Sequence, residues 1–271
     1  MSPPTAEDQA ALIKQFRQRL VEEDLIHDGD TIGTDDWTLV RFLRARQYDL
    51  DAATTMWATS QEWRKTIGGV GIDELFNAED PYDYPEREKV FDYWPMWFHK
   101  TDKEGRPLNI QLYGGINMPE LYKHITPEKF WHSIVTTAES IPREVMPAAS
   151  REAGKQIDGT FVIVDLKGFG LTQFWQMRNM VRDSFQMTQD NYPEMMAKFF
   201  IINAPYSFTT IWSVVKLWIA KETLAKIDIL GSDYKSVLLT HIDPENLPES
   251  MGGTCRCEDV GGCKWKKPPR R

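Results

Sequence analysis

Cys255, Cys257 and Cys263 are the chain's three cysteines and stand as C-x-C-x5-C. Thiolates are soft zinc ligands, but three are one short of a tetrahedral set, and His241 is a distant fourth candidate. The paired spacing of a structural zinc site is absent, so the pattern predicts reduced thiols and no bound metal. The segment VDLKGFGLTQF reads as a strand, then Gly168-x-Gly170, then a helix, which is half of a dinucleotide-binding fingerprint. Gln173 occupies the place of the third glycine, and a turn in a β-α connection explains the pair more simply. No phosphate-cradling G-x-x-x-x-G-K-[ST] loop, G-x-S-x-G elbow or H-E-x-x-H pair occurs. His27, His99, His124, His132 and His241 are scattered without ligand spacing. The residues predict neither an enzyme nor a cofactor.

The balance of charge narrows the partners. A net charge of -8 over 271 residues argues against nucleic acid, whose phosphates need a basic face. It argues equally against permanent residence on an anionic membrane, while leaving room for a brief visit through a local apolar patch. The opening residues MSPPTAEDQA hold no apolar core, which predicts no secretory signal. Ten tryptophans and eleven methionines suit adaptable apolar cavities.

One segment stands out for its surface. In Ser207 to Ala220, SFTTIWSVVKLWIA, nine of fourteen residues are apolar and Lys216 carries the only charge. Phe208, Ile211, Trp212, Val215 and Ile219 recur at helical spacing, and Val214 and Leu217 extend the apolar surface to a second side. A membrane span needs about 20 such residues, so the helix is too short to cross a bilayer. It is also too apolar for an ordinary surface helix. A core helix is the bland reading, and the surrounding sequence tilts away from it.

The elements that carry these residues alternate. Residues 1–80 read as helical: one helix through ALIKQFRQRLVEE, one from the Asp35/Asp36 caps, and one opening at Asp49 and stopped by Gly68-Gly69. On the third, Ala53, Met56, Trp57, Ser60 and Trp63 mark the packing face. Beyond Pro81, Tyr93 to His99 and Pro107 to Tyr113 read as strands joined by TDKEGR. A long helix over Pro127 to Pro147 follows, then strand TFVIVDLKG, a helix from Thr172 to Phe185, strand KFFIINAP, the apolar helix, strand IDILG and a helix at Tyr234 to Leu239. Such alternation predicts an α/β fold with a mixed, mostly parallel sheet. The divisions expected are a helical lobe at 1–80, a ligand-binding domain at 81–250, and a partly disordered Cys-containing basic tail at 251–271.

Several segments in order resemble the CRAL-TRIO family, in particular the fungal secretory-type phosphatidylinositol transfer proteins. They are TLVRFLRARQYDLDAA, HKTDKEGRPL, DGTFVIVDLKG, QDNYPEMMAKFFIINAPYSF, AKIDILGSDY and ENLPESMGG, and they cover nearly all of residues 35–253. The resemblance implies an N-terminal helical lobe and an α/β lobe whose sheet floors a lipid cavity. The apolar helix after the INAP-like strand end is then the gate, with Phe208, Ile211, Trp212, Val215, Trp218 and Ile219 as its apolar side. The resemblance also implies that Arg46, Glu194, Thr223 and Lys226 contact a phosphatidylinositol headgroup. Their blander roles are a helix-surface charge for Arg46, a helix-start carboxylate for Glu194 and a salt-bridge partner for Lys226.

Where family members hold phosphatidylcholine with tyrosines and small hydroxyls, this chain has Phe98, Asn109, Ala138, Thr160 and Val162. Only Thr160 keeps a hydroxyl, and a choline cation prefers an electron-rich cage. The resemblance therefore implies a monomeric cytoplasmic carrier of phosphatidylinositol that makes transient contact with Golgi, endosomal or ER membranes. Its second lipid is left open between phosphatidylcholine and a sterol or other hydrophobe. The rival readings are a carrier of a non-phospholipid ligand and a lipid sensor that presents phosphatidylinositol to a phosphoinositide kinase.

Overall fold

The computed structural model describes residues 4–78, 80–258 and 262–263, which fall into two compact units. The first takes in the chain up to Ala78 together with Met187–Met195. The second takes in the rest.

Helices α1 (Ala6–Glu22), α2 (Asp36–Ala45), α3 (Leu50–Thr66) and α4 (Ile72–Ala78) build the first unit. Local chemistry sets each start. Thr5 and Asp8 form a reciprocal capping box on α1, Asp35 accepts from the Trp37 and Thr38 amides, and Asp49 accepts from Ala52. Gly68, at φ +64, ends the third helix as its sequence predicts. Trp57 is fully buried between Phe16 and Phe42, and its Nε1 donates to the Leu25 carbonyl at 2.7 Å. Of the face expected on α3, Ala53, Met56, Trp57 and Ser60 are buried, whereas Trp63 stays half-exposed and meets the Tyr192 ring edge-on at 5.9 Å. Trp57→Ala is expected to cost about 3–5 kcal/mol, a cavity plus a lost hydrogen bond, read by urea unfolding.

The second unit is a five-stranded sheet clad with helices on both faces. Its elements in chain order are α5 (Arg87–Tyr93), β1 (Met96–Thr101), β2 (Pro107–Leu112), α6 (Met118–Leu121), α7 (Pro127–Ser140), α8 (Met146–Ala153), β3 (Thr160–Asp165) and α9 (Leu171–Asn191), whose residues from Met187 on belong to the first unit. Then come β4 (Met196–Ile202), α10 (Phe208–Val215), α11 (Lys221–Leu224), β5 (Ile227–Ile229) and α12 (Tyr234–His241). The strands lie in the order β1-β2-β3-β4-β5; β1 and β2 are antiparallel and the remaining pairs parallel. The α/β class and the mixed, mostly parallel sheet read from the sequence are those observed. β3 is flanked by parallel neighbours and buries five of its six residues, which is why TFVIVD is an unbroken apolar run.

Strand pleating sorts the core into two layers. Leu108, Ile110, Phe161, Ile163, Phe200 and Ile202 pack with Tyr234 and Leu238 of α12, with Ile242 just after it, and with Leu247 and Met251. Val162, Val164, Phe199 and Ile201 face the opposite way, toward Phe130 of α7, Phe174 and Met177 of α9, and α10.

Two expectations need correction. Tyr93 ends helix α5 instead of opening a strand, because the apolar alternation begins only at Met96. The helix expected to stop at Pro147 runs on to Ala153 through a π-turn at Ile141–Val145, which absorbs Pro142. In the tail, Met251 to Glu258 is folded back beside β1, with Cys255 bridged to Pro248. The basic end, residues 264–271, lies outside the described residues.

Candidate functional site

The Gly168-x-Gly170 pair, the best enzyme signal in the chain, is a β-α turn. Gly168 sits at φ +82, the Phe169 amide donates to the Leu166 carbonyl at 2.8 Å, and the Gly170 amide donates to Gln173 Oε1 at 3.1 Å before α9 begins. Gln173 therefore serves as a local cap where a dinucleotide loop has glycine.

The apolar segment closes one sheet face. Phe208, Ile211, Val215 and Ile219 are buried in the layer of Val162, Val164, Phe199 and Ile201, and Trp212 and Trp218 pack half-buried against it. Phe174 of α9 stacks on Trp218, centroids 6.3 Å apart and 11° from parallel. The single helix expected over Ser207–Ala220 is divided. α10 stops at Val215, a 3-10 turn follows at Lys216–Trp218, and Ile219 is extended. Across the break Trp218 and Ile219 stay on the same apolar side as Phe208, Ile211 and Val215. The outer side is mixed: Thr209, Thr210, Ser213 and Lys216 face solvent, and beside them Tyr206 is 99% exposed, Leu217 77% and Val214 38%.

Beneath this layer the strands bring three of the second-ligand residues into one row. Phe98 pairs with Asn109, Asn109 with Val162, and Val162 with Phe199, so the four share one face of the sheet. Asn109 is buried and its Oδ1 accepts from Gln111 Nε2 at 2.6 Å. Thr160 lies two residues before Val162 and is buried; Ala138, also buried, comes from α7. Phe98 walls a small pocket with Tyr82, Tyr84, Arg87, Trp94 and Thr137. Tyr82 Oη and Ser140 Oγ are hydrogen-bonded at 2.6 Å, and the Tyr82 and Phe98 rings meet edge-on at 6.5 Å. Arg87 is buried over the Phe91 ring, its Nη2 donates to the Met96 carbonyl at 3.3 Å, and burial holds its pKa below the usual guanidinium value.

Sequence reasoning missed Tyr82, Tyr84 and Arg87. Tyr82 and Tyr84 lie on a segment without periodicity and Arg87 opens the short helix α5, and only the folding of this stretch onto β1 brings them to Phe98. The pocket's volume, about 30 Å³, suits one or two waters, so an acyl chain enters it only when a wall moves.

The four headgroup residues fall in both units. In the first, Arg46 caps the C-terminus of α2, half-buried, with Nη1 donating to the Ala45 carbonyl at 3.0 Å. Glu194 is not at a helix start; it occupies the turn after α9 at φ +59, a left-handed conformation that costs a non-glycine residue roughly 1–2 kcal/mol. In the second unit, Thr223 and Lys226 form one turn, with the Lys226 amide donating to the Thr223 carbonyl at 3.0 Å. Lys226 Nζ donates to the Met196 carbonyl at 3.0 Å, so part of its work is to tie that turn to β4.

The cysteines also find a histidine, but not His241. That ring, half-buried at the C-terminal end of α12, packs against Phe161 and Phe200, centroids 6.0 and 5.5 Å away. The histidine beside the sulfurs is His99 of β1, and the ligand atoms of His99, Cys255, Cys257 and Cys263 all lie within 4.8 Å of one another. A separation of about 155 residues along the chain concealed this neighbour.

A mixed, mostly parallel sheet with one face closed by a short apolar helix, in a chain that opens with an all-helical unit, defines the class. Residues 91–253 match the family model described as CRAL/TRIO domain, and residues 12–58 match that of the CRAL/TRIO N-terminal domain. The chain belongs to the CRAL/TRIO family. It is 40% identical to the Sec14 cytosolic factor of Schizosaccharomyces pombe over 236 residues, covering 87% of this chain and 80% of that protein. It is 36% identical to the phosphatidylinositol/phosphatidylcholine transfer protein SFH12 of Arabidopsis thaliana over 264 residues, 94% of this chain and 47% of that longer protein. The crystal structure of Sfh5 shares the fold, with a TM-score of 0.65 over 98% of this chain and 93% of that one at 12% identity.

Proposed function

We propose that the protein is a lipid carrier that takes phosphatidylinositol from a membrane into its sheet-lined interior and exchanges it there for a second lipid. One observation carries this reading above the others: the α10 segment buries Phe208, Ile211, Val215 and Ile219 against the sheet while holding Leu217 77% exposed among the solvent-facing Thr209, Thr210, Ser213 and Lys216. A static core helix needs no side chain such as Leu217 or Tyr206 held out in water. A two-chain phospholipid has about 32 methylenes, and bringing them into water costs on the order of 25 kcal/mol. A carrier must offer an apolar lining before the lipid leaves the bilayer. Swinging α10 out in water would cost roughly 6–12 kcal/mol for its four buried side chains, whereas lipid tails in contact with them remove most of that cost. The gate then opens at a membrane and stays shut in the cytoplasm. No helix of the described chain is long and apolar enough to cross a membrane, which fits contact without insertion.

Thr223 and Lys226 suit the headgroup: an ammonium for the phosphodiester and a hydroxyl that donates or accepts with the inositol ring. Arg46 and Glu194 carry over from the family resemblance, and the left-handed backbone of Glu194 supports a role beyond a solvated carboxylate. The similarity to relatives named for phosphatidylinositol and phosphatidylcholine transfer supports the same ligand class.

The second lipid is better matched by a sterol or another hydrophobe than by phosphatidylcholine. Phe98, Asn109 and Val162 present a mostly apolar row, and the buried Arg87 on the adjoining pocket wall repels a choline cation. Incubating the protein with liposomes of mixed composition and weighing the complex by native mass spectrometry tests both assignments. A phosphatidylinositol mass, with a sterol as the alternative species, is expected. A sterol alone would remove the headgroup assignment, and no bound lipid would return α10 to the core.

A further inference from the structure

We propose that His99, Cys255, Cys257 and Cys263 form a structural zinc site that pins the segment after Met251 to the end of strand β1. Their ligand atoms lie within 4.8 Å of one another, with Cys255 Sγ and Cys257 Sγ 3.3 Å apart. Tetrahedral zinc, with bonds of about 2.3 Å to sulfur and 2.0–2.1 Å to nitrogen, needs its ligands roughly 3.5–3.8 Å apart. Adjustments of about an ångström reach that geometry from the observed one.

The histidine is the second, independent sign. His99 is 4% exposed, a ring nitrogen faces all three sulfurs, and Nε2 has no hydrogen-bond partner among the described residues. A buried polar atom left unpaired costs roughly 1–3 kcal/mol, and an ordinary core histidine avoids that by bonding a neighbour. Here the neighbours are thiols, poor hydrogen-bond partners and good metal ligands.

The backbone is organised around the cluster. Lys100, at φ +36, is the extra residue of a bulge between His99 and Thr101, and its Nζ reaches the Glu245 carbonyl at 2.7 Å and lies beside the Cys255 sulfur. Zinc with three thiolates and one neutral imidazole carries one net negative charge, which the Lys100 ammonium offsets. From the other side, the Cys255 amide donates to the Leu247 carbonyl and the Glu249 amide donates to the Cys255 carbonyl, both at 3.0 Å. Gly253 permits this turn, since a Cβ there would stand 2.0 Å from the Leu247 carbonyl oxygen. The Gly262 amide donates to the Cys257 carbonyl at 2.8 Å, which returns Cys263 to the other two sulfurs.

The site is remote in role from lipid exchange: it lies on the α12 side of the sheet, with His99 beside the layer of Leu247 and Met251, and needs no ligand in the opposite layer. Its test does not depend on the lipid reading. Elemental analysis of the full-length protein, purified without a metal-affinity step, is expected to find about one zinc per chain. Cobalt substitution is expected to give the visible absorption of tetrahedral thiolate ligation. Cys263→Ser and His99→Ala are each expected to weaken zinc binding, measured by competition with a chromophoric chelator, by more than the roughly 10–100-fold that an outer-sphere partner commands. Cys263 is half-buried, so its variant reports on the site even should His99→Ala fail to fold. Apo protein that does not take up added Zn²⁺, or zinc held equally well by Cys263→Ser, overturns the proposal. So does an intact mass showing Cys255 and Cys257 joined as a disulfide in protein prepared under reducing conditions.

Discussion

Replacing Thr223 and Lys226 together by alanine is expected to abolish phosphatidylinositol binding while leaving the fold intact. Each side chain removes one hydrogen bond to a charged or hydroxyl-rich headgroup, roughly 1.5–3 kcal/mol apiece, so the pair lowers affinity by at least about 100-fold. The cost to the fold is smaller. Lys226 Nζ loses the Met196 carbonyl at 3.0 Å, a contact between half-buried groups at the start of β4, worth about 1 kcal/mol. The two effects separate cleanly: vesicle-to-vesicle transfer of fluorescent phosphatidylinositol falls to background, and thermal unfolding shifts by only a few degrees. Unaltered transfer by the folded double variant would refute the assignment of this turn to the headgroup. Single Arg46→Ala and Glu194→Ala variants, assayed in the same way, decide whether those two residues belong to the same recognition set.

The second large effect concerns the gate. Trp212→Asp is expected to slow lipid exchange at least tenfold, since a carboxylate on the apolar side of α10 must enter a lipid environment at about 2.5–3.5 kcal/mol when deeply placed. Trp212 is half-buried beside Phe208, ring centroids 6.0 Å apart, so this substitution also loosens the closed state. Leu217→Asp isolates the membrane step. Leu217 is 77% exposed, and an aspartate there leaves the closed packing unchanged while opposing contact with lipid tails. Slower exchange in both variants, with unchanged lipid content at rest, is the expected result. Exchange at the native rate in both would make α10 a core helix.

These two experiments probe parts of the chain that were legible to different degrees. The segment SFTTIWSVVKLWIA announced itself because its composition departs from that of a surface helix, and composition needs no partner to be read. Its division at Val215 did not, since the apolar spacing runs on without interruption through Trp218 and Ile219. Arg46, Glu194, Thr223 and Lys226 were found through resemblance, and the coordinates add what each does locally. Glu194 turns out to hold a left-handed turn rather than a helix start, and Lys226 to tie two elements. Tyr82 and Tyr84 carried no signal, because pocket walls drawn from aperiodic chain have no spacing to detect, and Arg87 opens α5, where a charge reads as solvated.

By itself the sequence determined the local elements and the order in which they occur. Capping residues at Thr5, Asp35 and Asp49, the breaker at Gly68 and the apolar run of β3 act within one turn or one strand, so their effect is written where they stand. It also determined the family, through six segments in a specific order. Tertiary structure alone decided which distant residues meet. Phe98, Asn109 and Val162 share a row only because strand register places them opposite one another, and periodicity along one strand is blind to its neighbour. His99 and not His241 joins the cysteines for the same reason. His241, the last residue of α12, turns onto the Phe161 and Phe200 rings, while His99, beside the bulge at Lys100, lies among the sulfurs.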